Sequence, residues 1–148
     1  GEGGNTGSYN WSIPDDLEPS TFYSIYVRAD SGSSDCESPQ FTIELAPYIE
    51  IVRPNGGETW GEGYRKTIEW ESANAGDEVK IELYYGTSLE KTITPGTDND
   101  GSYSWEVECY NPQPSNPDRY DPDYRIKITS TSQKTVYDFS DAYFEIWN

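Results

Sequence analysis

"DNDGSYSW", Asp98–Trp105, is the stretch on which the fold turns, because the chain spells it almost twice: "GNTGSYNW" occupies Gly4–Trp11. In the later copy Tyr103, Trp105 and Val107 alternate with polar residues, the period of two expected of a half-buried strand. The same alternation recurs in "VKIELYY", where Val79, Ile81, Leu83 and Tyr85 share one face and Lys80, Glu82 and Tyr84 the other. It recurs again in "TIEW" (Ile68, Trp70) and "YRIKI" (Tyr124, Ile126, Ile128). Turn signals separate these runs: "RPNGGE" at 53–58, "SANAGDE" at 72–78, "TPGTDNDG" at 94–101 and "NPQPSNPDRYDPD" at 111–123. No window has helical periodicity, so the pattern predicts an all-β chain built as an antiparallel sandwich.

Laying the first 45 residues on the last 50 extends the echo. "GSYNWSI" (7–13) matches "GSYSWEV" (101–107), "FYSIYV" (22–27) matches "DYRIKI" (123–128), and "DCESPQFTI" (35–43) matches "DFSDAYFEI" (138–146). Nothing before residue 7 corresponds to "YIEIVRPNGGETW…TIEW…VKIELYY". Residues 1–45 therefore read as the back half of a sandwich and residues 46–148 as a complete one. Either the chain is an excerpt of a longer tandem array, or another chain completes the half module. On this reading Tyr9, Trp11, Tyr23, Ile25, Val27, Phe41 and Ile43 form a face that would meet water unless a partner covered it, with edges open to strand addition. In "TIELAPYIEI" (42–51) no flexible linker separates the copies, and the last strand of the first is expected to run into the first strand of the second.

Composition narrows the partners. The 148 residues are 33% hydrophobic but 15% aromatic, with 13 Tyr and 5 Trp, which fits thin sheet cores better than disorder. A formal charge of -17 would repel phosphate backbones and anionic headgroups, so neither nucleic acid nor membrane insertion is expected. No apolar run reaches the roughly 20 residues of a membrane helix. No signal peptide is present and residue 1 is not Met, so the chain is expected to be a processed product or an excerpt.

The order "RPNGGETWGEG" (53–63), "TIEW" (67–70), "VKIELY" (79–84), "DGSYSW" (100–105), "YRIKITSTS" (124–132) and "YDFSDAYFEI" (137–146) resembles the immunoglobulin-like sandwich of yeast cell-wall glucan-synthesis proteins, also found in Ser/Thr-rich, GPI-anchored surface proteins. The likeness covers residues 48–146 fully and 7–43 as a back half. It implies tandem immunoglobulin-like sandwiches in an extracellular, often glycosylated protein, and it brings no catalytic residues. Two departures stand out: Cys36 where the second copy has Phe139, and the Pro-rich loop after Cys109.

The chain has no His, which removes Ser-His-Asp and Cys-His catalysis and imidazole metal ligands. Among carboxylates, Glu58, Asp98, Asp100, Asp118, Asp121 and Asp123 are candidates for glycosidase chemistry by composition alone, and read more simply as turn residues. An enzyme is not expected, nor any cofactor beyond calcium. Asp98 and Asp100 in "DND", with Asp118, Asp121 and Asp123 in "DRYDPD", are the calcium candidates, although neither run matches an EF-hand. "NWS" (10–12) is a glycosylation sequon; Tyr9 and Trp11 facing inward would leave Asn10 outward on its strand. Tyr84, Tyr143 and Trp147 stand on outer faces, where rings anchor interfaces or stack on sugars. Cys36 and Cys109 can bridge within a chain, between chains, or stay free. The expected function is an extracellular structural repeat that assembles with copies of itself into a filament, stalk or adhesin. The alternative is a carbohydrate-binding accessory module of a larger secreted protein.

Overall fold

A computed structural model describes residues 7–14, 16–29, 35–108 and 123–147. The chain divides into two compact units, Gly1–Leu45 and Ala46–Asn148. All regular structure in the described residues is β.

The second unit is an immunoglobulin-like sandwich. Its strands are β5 (Tyr48–Arg53), β6 (Thr59–Gly61), β7 (Arg65–Ala73), β8 (Glu78–Tyr85), β9 (Ser88–Asp98), β10 (Ser102–Glu106), β11 (Tyr124–Ser130), β12 (Tyr137–Phe139) and β13 (Glu145–Trp147). One antiparallel sheet has the order β10-β7-β5 and the other β12-β11-β8-β9; β13 leaves the second sheet to pair parallel with β6. Alternation decides which side chains face inward. Val79, Ile81 and Leu83 from β8, Ile126 and Ile128 from β11, and Ile68 and Trp70 from β7 are all buried between the sheets. Trp60 of β6 fills the centre, with ring centroids 6.1 Å from Trp105 and 5.2 Å from Phe144. Burying these rings together with the aliphatic side chains around them supplies the driving force for the core.

The first unit is two short antiparallel ladders: β1 (Ser20–Tyr23) with β4 (Phe41–Ile43), and β2 (Tyr26–Arg28) with β3 (Asp35–Glu37). Together they form one interrupted hairpin. Residues 8–14 belong to no strand.

Two local expectations change. The turn anticipated at 94–101 is mostly strand, since β9 continues to Asp98 with Pro95 inside it. Proline is tolerated there because β9 is an edge strand, where a missing N–H interrupts no second ladder. The reversal is left to Asn99–Gly101, with Gly101 at φ 89° and its amide plane packed so that a Cβ would lie 3.1 Å from the Trp70 carbonyl. Between the units, strand pairing does not run through: β4 ends at Ile43 and β5 starts at Tyr48. Pro47, just before β5, has no N–H to extend a ladder.

Candidate functional site

Of the carboxylates picked out as possible catalysts and ligands, Glu58 and Asp100 hold turns together. Glu58 accepts the amides of Asn55 at 2.9 Å and Gly56 at 2.8 Å, closing the "PNGGE" turn on itself. That turn is then clamped to the connection between β12 and β13: Asn55 Nδ2 donates to Asp141 at 2.9 Å, the Asp141 amide donates to Asn55 Oδ1 at 2.7 Å, and the Gly57 amide donates to the Tyr143 carbonyl at 2.9 Å. In "DND" the middle residue is the structural one. Asn99 Oδ1 accepts from Trp70 Nε1 at 2.7 Å and Ser72 Oγ at 3.0 Å, while its Nδ2 donates to the Gly76 carbonyl at 2.9 Å. Asp100 accepts the Ser102 amide at 3.1 Å, an Asx turn that starts β10. Asp98 stands opposite Glu78 on β9, and the Asp123 carbonyl accepts the Gly86 amide at 2.7 Å. Among the described residues no three acidic or cysteine side chains gather to hold a metal; Asp118 and Asp121 lie outside the described residues.

The outward aromatics do not form a flat row. Tyr84 meets Phe139 edge-on at 5.1 Å, and Arg125 lies over both Phe139 and Tyr143 at 5.1 and 5.0 Å. Lys127 covers Tyr137 and Phe139 at 4.4 and 5.1 Å. Trp147 packs instead on Tyr64, centroids 6.2 Å apart. The Arg125 contact occupies a face of Tyr143 that a sugar would need. Beneath this layer Glu82 is buried on the outer side of β8, paired with Lys80 at 2.7 Å and opposite Lys127 across the ladder. That pairing explains how a carboxylate is tolerated there.

The face of the first unit is the other candidate. Trp11, Ile25 and Val27 are 45%, 43% and 62% exposed, and Tyr9 is more so. The expectation fails for three residues of the set. Ile43 is buried, and Tyr23 and Phe41 are half-buried against each other with centroids 6.3 Å apart, because the hairpin folds its own ends together. Asn10 is exposed, but not on a strand; its backbone has no neighbour of the kind that β7 gives β10. Cys36 lies in β3 and is exposed and free; Cys109 lies outside the described residues.

Geometry also shifts the sequence alignment by one residue. The Ile25 amide donates to Ser38 Oγ at 2.9 Å, and the Ile126 amide donates to Ser140 Oγ at 3.0 Å. Each serine returns its own amide to the same isoleucine carbonyl, at 2.8 and 2.9 Å. The pairs Tyr26–Glu37, Val27–Cys36 and Arg28–Asp35 then correspond to Lys127–Phe139, Ile128–Asp138 and Thr129–Tyr137. Cys36 therefore stands where Asp138 stands, and not Phe139. The difference is absorbed where Pro39 and Gln40 replace Asp141, Ala142 and Tyr143, after which Tyr23–Phe41 and Tyr124–Phe144 agree again. Sequence matching missed this because it carried the frame through the loop without a gap; the repeated Ser is the signal that would have found it.

This geometry defines an immunoglobulin-like sandwich in the second unit. The family model described as the Kre9/KNH-like N-terminal Ig-like domain matches residues 53–146, well over half the chain, and the protein belongs to that family. No curated protein is detectably similar in sequence. Among solved structures, the fibronectin(III)-like modules of Clostridium thermocellum CbhA are similar at 8% identity with a TM-score of 0.39, over 82% of this chain and 60% of that one.

Proposed function

We propose that this chain is a non-catalytic extracellular structural repeat whose first unit is a back half that is completed by strands from a neighbouring subunit, building a filament, stalk or adhesin by head-to-tail assembly. The carrying observation is a contrast between equivalent residues. Trp11, Ile25 and Val27 are exposed, whereas Trp105, Ile126 and Ile128 are 5%, 0% and 0% exposed beneath the front half of the second unit. Membership of an Ig-like family with a cell-wall role supports the extracellular setting and the absence of catalysis. A glycan at Asn10 fits the same reading, since that side chain is exposed. The carbohydrate-binding alternative is weaker because Arg125 lies over the Tyr143 ring, and Tyr84 and Trp147 pack on different neighbours, Phe139 and Tyr64. Negative-stain electron microscopy of native material is the test. Regular filaments with an axial repeat of a few nanometres, about the length of one stacked module, are expected; single compact particles throughout would overturn the assembly reading.

A further inference from the structure

Within these 148 residues there are two back halves and a single front half, the segment from β5 to β9, and the second unit's own back half already occupies it. A second copy that lent its front half to a neighbour would uncover Ile126, Ile128, Trp105 and Phe144 to cover their equivalents, with no net burial of apolar surface. We infer that the first unit is the docking site for a further front half of the same Ig-like family, and that a second copy of these 148 residues cannot be its occupant. This rests on the reading of residues 7–45 as a back half.

Residue chemistry says what that occupant must look like. Tyr9, Trp11, Ile13, Tyr23, Ile25, Val27 and Phe41 match Tyr103, Trp105, Val107, Tyr124, Ile126, Ile128 and Phe144 in size and shape, so a front half with a Trp60-like ring and β7- and β8-like apolar alternation fits over them. Its β7-like strand would pair with residues 8–12, as β7 pairs with Ser102–Glu106. Gly7, at φ 78°, already has the left-handed turn that Gly101 uses to begin β10. Ser38 Oγ donates locally, to the Pro39 carbonyl at 2.9 Å; Ser140 Oγ donates across the module, to the Pro54 carbonyl at 2.7 Å. Docking would redirect the Ser38 hydroxyl to an incoming carbonyl.

Two positions distinguish this occupant from the front half already in the chain. The Ile51 amide donates to Asp138 at 2.8 Å, where the first unit offers the weak acceptor Cys36. The Asn55–Asp141 exchange has no counterpart, because Pro39 and Gln40 shorten that loop. The incoming front half therefore needs neither the Asn55 clamp nor an amide aimed at a carboxylate. Head-to-tail assembly balances when the assembling protein brings one such additional front half for each uncovered hairpin.

Placing a second copy of residues 46–94 directly ahead of Gly1 of the full chain tests this by hydrogen exchange. The core match should outweigh the two lost contacts, and amides 9–13 should exchange about 100-fold more slowly than in the unfused chain, as expected when an unpaired segment enters a stable ladder. Unchanged exchange at 9–13 while Ile126 stays protected would overturn the inference. The unfused chain gives an independent check by sedimentation with the same exchange readout. Self-association that protects residues 9–13 in every copy and leaves Ile126 protected would show that identical copies suffice, and would overturn it too. Absence of filaments in native material would instead defeat the fibre reading and leave this result standing.

Discussion

Ser140 donates its hydroxyl to the carbonyl of Pro54 at 2.7 Å, joining the residue after β12 to the residue after β5. The same oxygen accepts the Ile126 amide at 3.0 Å, and all three groups lie in a buried position. Ser140→Ala leaves a buried N–H and a buried C=O without that partner. The expected loss is about 2 kcal/mol, read as a lower urea midpoint with an unchanged slope. Ser38→Ala, at the equivalent but only half-buried site, is expected to cost less, about 0.5 kcal/mol, in the isolated chain.

Asn99 is the central residue of the acidic run that sequence alone offers as a calcium loop, and its side chain ties Trp70, Ser72 and Gly76 together. Asn99→Ala is expected to destabilise the second unit by about 2 kcal/mol and to change the near-ultraviolet circular dichroism of Trp70. Asn99→Asp keeps the acceptor for the indole but not the donor to Gly76, so its loss should be roughly half as large. An effect of Asn99→Ala smaller than that of Asp98→Ala would contradict this assignment.

Glu58 closes the "PNGGE" turn by accepting two amides. Glu58→Ala should lower stability by about 1 to 2 kcal/mol, a fall in melting temperature of several degrees for a unit of this size, roughly 4–8 °C per kcal/mol. Glu58→Gln retains one acceptor oxygen and should recover part of it. A Glu58→Gln variant as stable as the parent would show that the charge is unimportant and the shape sufficient.

Tyr26 donates its hydroxyl to Asp35, and this bond to a carboxylate holds the phenol above its ordinary value of 10.0. Because the folded value is raised, its contribution to the first unit is present below the unfolded value and is lost as pH rises through the folded one. Ultraviolet titration should find Tyr26, although exposed, ionising above the ordinary tyrosine value. Asp35→Asn should bring it back toward the ordinary range; no change on that substitution would disprove the assigned cause.

Period-two alternation in "VKIELYY", "SYSWEV" and "YRIKI" was enough to determine the class of fold, because in a sandwich each inward position is also a buried one. Motif order was enough for the family. Composition, through the missing His, bounded the chemistry. Tertiary structure alone decided what individual polar residues do. Glu58 reads as a catalytic candidate in a one-dimensional string and Asn99 only as the middle of an acidic run, yet their partners lie at Asn55, Gly56, Trp70, Ser72 and Gly76, chosen by how the turns close. It also decided the register of the first hairpin. Alternation fixes only which residues share a face, whereas the bond from the Ile25 amide to Ser38 Oγ fixes which residue stands opposite which.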